Sequence, residues 1–128
     1  MNLRELKKLI ESGESERVEF KRSTGQRTAA AKAICGMHNG HGGFVIFGVM
    51  DNGDLTGQQI SARTLESLTG EFRRIEPPAL PDIETVPVKG DKAAVVVRFS
   101  GGGGPYTCDG RAYERHDPTT RRMPQQRY

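Results

Sequence analysis

The sequence predicts a single α/β (α+β) domain, in which about three helices pack on a central, mixed and mostly antiparallel sheet of about five to seven strands. Apolar residues recur at helical spacing in three separate segments. Residues 44–49, introduced by Gly42 and Gly43, are apolar on both faces, as expected for a covered central strand. Turn motifs of the Asn-Gly and Asp-Gly type separate the remaining strand-like runs, which favours antiparallel hairpins.

Length and composition indicate one hydrophobic core and a mildly basic chain. The 128 residues carry 19 basic and 16 acidic side chains, for a net charge of +3. This excess permits a phosphate-bearing partner without requiring one. Cys35 and Cys108 show neither zinc-ligand nor disulfide-framework spacing. Because no run resembles a signal peptide or a membrane span, we expect a cytoplasmic protein without a membrane partner.

The first half of the chain alternates helices and strands. Residues 3–12 form an amphipathic helix that Asn2 caps and Gly13 ends, and residues 17–21 form a strand. An alanine-rich helix follows at residues 28–38, and Asn39-Gly40 stops it. After the strand at 44–49, the Asn-Gly turn at 51–54 leads to a short strand near residues 55–57.

The second half begins with a helix capped by Ser61, whose apolar stripe runs through Leu65, Leu68, Phe72 and Ile75 until Pro77. Strands follow at 83–88 and 93–99, and Pro87 marks the first as an edge strand. The glycine run 101–104 lacks the ending of a P-loop and predicts a flexible loop. A hairpin joins 106–108 to 111–113. We therefore expect a domain over residues 1–116 and a basic polar tail over residues 117–128, which is also compatible with the start of a C-terminal region.

The most informative stretch is Glu14 to Lys21. Strand alternation sends Val18 and Phe20 to one face, and Glu19 and Lys21 to the other, where they lie about 6.5 Å apart. The simplest explanation is a solvated strand face. The alternative is that these charged groups serve a site.

Five motifs together resemble the Schlafen AlbA-like domain family. In chain order they are Glu14-x4-Glu19-Phe20-Lys21, Asn39-x2-Gly42-Gly43, Phe47-Gly48-Val49-x-Asp51-x-Gly53, Pro105-Tyr106 and Tyr113-x-Arg115. The chain departs from the family at 36–40 and at His116-Asp117. The resemblance implies an α/β domain that binds nucleic acid, DNA or RNA, and that forms the nuclease core of animal Schlafens. It also makes a homodimer and a further C-terminal domain expectations.

In the nuclease members of this family, two glutamates and an aspartate form a three-carboxylate site that cleaves structured RNA such as tRNA. Glu14, Glu19 and Asp51 fall on those positions, so the resemblance implies a catalytic Mg²⁺ or Mn²⁺ site with these three ligands. Lys21 is the fourth candidate catalytic residue, and would stabilise phosphate charge. Asp51 is equally suited to an Asx-type turn, and Glu14 to an ordinary surface position.

Basic residues near the acidic motif and near the C-terminus give the nucleic-acid interpretation modest support. The candidate phosphate-binding residues are Lys21, Arg22, Arg27, Lys32, Arg111, Arg115, Arg121 and Arg122. Tyr106 and Tyr113 could stack bases, although packing within a hairpin explains them better. His38, His41 and His116 are expected in surface or loop positions. Two other functions stay open: a non-catalytic DNA-binding module of a transcription regulator, and an ATP- or nucleotide-binding domain.

Overall fold

The structure, a computed structural model, describes residues 1–78, 81–102 and 105–124. Its three α-helices are α1 (Leu3–Glu11), α2 (Arg27–His38) and α3 (Ala62–Phe72) among these residues. The strands are β1 (Val18–Lys21), β2 (Gly42–Phe47), β3 (Gln58–Gln59), β4 (Ile75–Glu76), β5 (Asp82–Lys89), β6 (Lys92–Ser100), β7 (Thr107–Cys108), β8 (Arg111–His116) and β9 (Thr119–Arg122). The fold class predicted from the sequence is confirmed.

The larger sheet has five strands and is mixed. β1 lies parallel to β2, β2 lies antiparallel to β6, and β6 also pairs antiparallel with β3 and β5. Successive residues of β2 enter opposite hydrophobic clusters: Val45 and Phe47 pack on the side of α2, whereas Ile46 packs on the side of α1. β2 is therefore covered on both faces, as its sequence predicts.

A second sheet of four strands, in the order β4-β7-β8-β9, packs on the other side of α2. Asn39, the residue that ends α2, fastens the two layers together. Its side-chain amide donates to the carbonyls of Tyr106 and Tyr113 at 3.0 and 2.9 Å, and its Oδ1 accepts from the Tyr106 N–H at 2.6 Å. Because all three groups are backbone, Asn39 fixes the backbone of this layer relative to α2, in addition to the side-chain packing between them.

Two predictions about the second sheet were wrong. Thr119–Arg122, predicted as part of a polar tail, form β9 by pairing with β8, and a turn at Asp117 with positive φ joins the two strands. Ile75, predicted on the stripe of the third helix, instead pairs with Cys108 in β4. In both cases backbone pairing with distant residues determined the structure. Gly103 and Gly104 of the predicted loop lie outside the described residues.

Most other boundaries agree closely with the sequence prediction. The short strand predicted near residues 55–57 is an exception, because Leu55 forms an isolated bridge with Val49 and β3 follows at Gln58–Gln59. Asn2 forms a capping box with Glu5 at the start of α1, and Ser61 caps α3. β5 is an edge strand with a register irregularity after Pro87. Across the described residues, no helix is long and apolar enough to cross a membrane.

Candidate functional site

Strand β1 separates apolar from charged side chains as its alternation predicts. Val18 and Phe20 are buried against α1 and β5. Glu19 and Lys21 point to the opposite face, where the Lys21 Nζ lies 3.4 Å from a Glu19 carboxylate oxygen. The side chain of Glu19 is only 10% exposed, so its surroundings must compensate a buried charge. The solvated-face explanation is wrong for Glu19.

Arg115 supplies most of that compensation. One terminal nitrogen of its guanidinium donates to the Glu19 carboxylate at 2.7 Å and to the Thr120 hydroxyl at 2.9 Å. The other donates to the carbonyls of Ser15 and Val18, at 3.0 and 3.3 Å. With a side chain that is 1% exposed, Arg115 ties β1 to β8 and β9 from inside the protein. The prediction that Arg115 binds phosphate is corrected by this placement, since its terminal nitrogens are committed to internal partners.

Glu14 and Asp51 lie elsewhere. The Glu14 carboxylate accepts a hydrogen bond from the backbone N–H of Phe20 at 3.3 Å. Asp51 stands in the turn between Met50 and Asp54, where its side chain is 77% exposed and pairs with Arg22 at 3.4 Å. Glu14 is exposed, in agreement with the surface position considered from the sequence. The Asx-type hydrogen bond of the turn is made by Asn52 instead of Asp51, since the Asn52 Oδ1 accepts from the Asp54 N–H at 3.0 Å.

The three predicted metal ligands are not brought together. Glu14 and Asp51 line one open hollow of ≈ 460 Å³ beside the end of α1, whereas Glu19 is absent from its wall. Over the part of the chain that the structure describes, no three acidic, histidine or cysteine side chains are grouped closely enough to hold a metal ion. Glu19 already has two cationic partners. This arrangement therefore does not fit Mg²⁺ or Mn²⁺ held by three carboxylates.

The clearest electrostatic feature is a segment without acidic residues. Between Lys21 and Met50 the sequence contains no Asp or Glu, whereas it contains Lys21, Arg22, Arg27 and Lys32. The segment runs from the end of β1 through a 3-10 turn into α2, whose first turn has no acidic residue and no side-chain cap. The helix dipole reinforces the positive charge at such a helix start.

The four cationic side chains of this segment differ in how exposed they are and in which partners they contact. Lys21 is 17% exposed and pairs with Glu19. Arg22 is 60% exposed, and its Asp51 partner is also at the surface, so this ion pair is screened by solvent and contributes little stability. Arg27 is half-buried, and one of its terminal nitrogens bonds only to the Thr24 carbonyl. Lys32 is exposed, and its ammonium lies 5.9 Å from the centre of the Tyr113 ring.

Strand β9 adds further charge next to α2, since Arg122 lies opposite Tyr113 in the ladder. Arg121 is 61% exposed and contacts the Glu114 carboxylate at 3.4 Å. Arg111 is exposed at the far end of β8, beside the turn at Asp109, and therefore outside this group. Tyr113 is buried, which fits the packing role better than base stacking.

Sequence reasoning missed the burial of His38. The ring packs against Phe99 and Tyr106, with ring centres 5.0 and 4.7 Å apart, and neither ring nitrogen makes a well-formed hydrogen bond to the described residues. Burial lowers the pKa of the imidazole, and the nearby Ser100 backbone opposes this only in part. Burial also raises the pKa of the Cys35 thiol to about 11, so Cys35 belongs to the core.

The profile of the Schlafen, AlbA_2 family matches residues 14–124, which is most of the chain. The chain belongs to this family. The match starts at Glu14 and includes β9, which supports β9 as part of the Schlafen AlbA_2 fold. No curated protein matches the chain in sequence.

Two solved structures share the fold of this Schlafen AlbA_2 domain. The DIP2311 protein of Corynebacterium diphtheriae is 18% identical with a TM-score of 0.63, over 84% of this chain and 22% of that one. The second is the N-terminal domain of a RecG-related protein from Nitrosomonas europaea, described in relation to an ATP-dependent DNA helicase. It is 20% identical with a TM-score of 0.61, over 77% of this chain and 72% of that one. The chain thus spans about a fifth of the length of the DIP2311 protein.

Proposed function

We propose that this domain binds nucleic acid through the acid-free segment that joins β1 to α2. The observation that carries the proposal is the concentration of Arg22, Arg27 and Lys32 on a stretch with no carboxylate of its own. Membership of the Schlafen, AlbA_2 family supports the same conclusion, as does the likeness to a domain of a RecG-related protein. We propose that these cations contact phosphates, so that binding depends on shape and salt more than on sequence.

Titration of a labelled oligonucleotide at several salt concentrations tests this proposal. Fluorescence anisotropy from about 50 to about 200 mM salt gives the slope of log K against log[salt], which counts the phosphates contacted. The triple variant Arg22→Gln, Arg27→Gln, Lys32→Gln should reduce this slope by about 2 on single strands, at about 0.7 per lost contact. Parallel titrations of DNA and RNA, single- and double-stranded, identify the preferred form.

The control variant removes the same charge from another part of the surface. Lys7, Lys89 and Lys92 are exposed and lie on α1 and at the β5–β6 turn, away from α2. Substituting these three lysines by Gln should leave the slope nearly unchanged. Equal weakening by both triple variants would show that only net charge matters, and would overturn the assignment of this segment.

Metal-dependent cleavage of RNA is the finer hypothesis that the family resemblance implies. It requires Glu19 to exchange Arg115 and Lys21 for a metal ion, because the present arrangement does not group the three carboxylates. Incubating the whole chain with tRNA and Mn²⁺ tests it directly. Cleavage that Glu14→Gln and Asp51→Asn both abolish would support the three-carboxylate site, whereas cleavage that survives both substitutions, or no cleavage at all, would contradict it.

A further inference from the structure

A second cavity lies beside Arg17 at the start of β1, whereas Arg22 follows the end of β1. It measures ≈ 490 Å³, within the usual range for small-ligand sites. Its wall includes Arg17, His41, Phe44, Asp82, Arg98 and Gly101. Arg17 precedes β1 and Arg22 follows it, so the two arginines are about 16 Å apart along the chain at about 3.3 Å per residue. The cavity is therefore separate from the proposed nucleic-acid surface.

The backbone that forms the cavity is closely packed and allows little adjustment. Gly43 has a φ of +156°, and a Cβ there would lie 2.2 Å from the Arg17 carbonyl oxygen. A Cβ on Gly101 would lie 2.3 Å from the Gly40 carbonyl oxygen. The Phe44 N–H donates to the Arg17 carbonyl at 2.7 Å. These contacts hold the backbone at Arg17 and Phe44 in place in the absence of any ligand.

The charges around the cavity favour an anion. Among the described residues, no ion pair joins Arg17 or Arg98 to a carboxylate, although Asp82 is opposite Arg98 in the ladder. His41 is the third basic group, and its Nε2 lies 3.7 Å from the Glu16 carboxylate. Arg17 and Arg98 both line the cavity, and arginine binds phosphate through paired N–H donors.

The remaining wall provides contacts for an organic group attached to that anion. Phe44 is partly exposed, and the Arg98 guanidinium lies 5.9 Å from the centre of its ring. A flat heteroaromatic ring could stack in this region against the phenyl or guanidinium plane. The Asp82 carboxylate can accept hydrogen bonds from sugar hydroxyl or amino groups. An inorganic anion alone would leave both contacts unused.

We propose that this cavity binds a nucleotide carrying a phosphate monoester, with Arg17 and Arg98 on the phosphate and Phe44 against the base. The phosphate monoester has two sources, a free nucleotide or the terminal phosphate of a nucleic-acid strand. The proposal does not depend on the nucleic-acid surface at α2, because internal phosphodiesters lack the monoester group and that surface lies at the other end of β1.

Calorimetric titration of the whole chain with adenosine monophosphate, and separately with inorganic phosphate, tests the binding site. Adenosine monophosphate should bind, inorganic phosphate should bind at least about tenfold more weakly, and Arg17→Gln or Arg98→Gln should each weaken nucleotide binding about tenfold or more. Arg63→Gln, an exposed change on α3, is the matched control and should have no effect. Melting temperatures of the variants confirm that all are folded.

Short oligonucleotides with and without a 5′-phosphate distinguish the two sources. A preference for the phosphorylated strand that Arg17→Gln removes, and that the Arg22, Arg27 and Lys32 triple variant retains, assigns the cavity to strand ends. Binding of the free nucleotide without this preference assigns it to mononucleotides. No binding of either probe, equal binding of phosphate and nucleotide, or binding that survives both arginine substitutions would overturn the proposal.

Discussion

Arg115→Ala should strongly destabilise the domain, because Arg115 is the main partner of the buried Glu19 charge. Its guanidinium also donates to the Thr120 hydroxyl and to two backbone carbonyls before and within β1. The substitution would remove all of these hydrogen bonds from an environment where the Arg115 side chain is 1% exposed. Water has little access to replace them.

The magnitude follows from the burial of both partners. Removing one member of a buried ion pair costs about 3–5 kcal/mol, since the other charge is left without compensation. Lys21, 3.4 Å from Glu19, stays in place and recovers part of this energy. We therefore expect a loss of about 3–4 kcal/mol in the free energy of unfolding, or about 10–20 °C in melting temperature for a domain of this size.

Urea and thermal unfolding of four proteins provide the measurement: the natural chain, Arg115→Ala, Glu19→Gln and the double variant. The two single effects should be non-additive by about 1–3 kcal/mol, as for residues in direct contact. Arg121→Ala is the control. Arg121 lies on β9 near Arg115, but it is 61% exposed and its Glu114 partner is 3.4 Å away, so its loss should cost no more than about 1 kcal/mol.

A loss below about 1 kcal/mol for Arg115→Ala, or additive effects of Arg115 and Glu19, would refute the reasoning. Either result would mean that the guanidinium does not neutralise Glu19 inside the protein.

Three other predictions concern the core. Gly43→Ala should cost at least about 3 kcal/mol in the free energy of unfolding, or prevent folding, because the new Cβ would lie 2.2 Å from a carbonyl oxygen. Gly70→Ala inside α3 is the comparison: its Cβ would enter open space, so this substitution should stabilise the domain by up to about 1 kcal/mol in the same unfolding assay. Cys35 should resist an aromatic disulfide reagent until urea unfolds the chain, since a pKa of about 11 leaves about one thiolate in a thousand at pH 8. Rapid reaction of Cys35 in the native protein would contradict its burial. The pKa of His38 is lowered in the native protein, so the unfolded chain takes up a proton first as the pH falls below the ordinary value of 6.5. The free energy of unfolding should therefore decrease by up to about 1.4 kcal/mol per pH unit until the native pKa is reached. His38→Phe should remove this part of the pH dependence in urea unfolding between about pH 7 and pH 5, and an unchanged profile would count against the buried imidazole.

The elements that the sequence predicts well are those whose signals are local. Asn2 and Ser61 identify helix starts by a capping pattern of a few residues, and the turn around Gly53 follows from its Asn-Gly pair. β2 is recognised because residues 44–49 are apolar on both faces of the strand. These signals depend on residues that are close in the sequence, so they can be recognised without knowledge of tertiary contacts.

The failures depend on pairing over long distances. β9 has four polar residues and gains its structure from the β8 backbone, and Ile75 leaves the helix stripe to pair with Cys108. Arg115 and Glu19 are 96 residues apart in sequence. The Tyr113-x-Arg115 motif identified Arg115 as a characteristic position, but a motif cannot distinguish an arginine that binds phosphate from one that neutralises a buried glutamate. The role of such an arginine depends on which partner its guanidinium contacts in the folded protein.

The position of β1 explains why one strand serves both stability and the proposed binding. As the outer strand of the larger sheet, it has a free edge, where Glu14 binds the N–H of Phe20 and Arg115 binds the carbonyl of Val18. Side chains of opposite charge thus satisfy the polar groups of an edge that would otherwise attract other strands. Once Glu14 and Glu19 are committed in this way, Asp51 is the one carboxylate that forms an ion pair with Arg22, Arg27 or Lys32 among the described residues. The positive charge beyond β1 is therefore little neutralised, which is why phosphate binding is the function that this geometry favours.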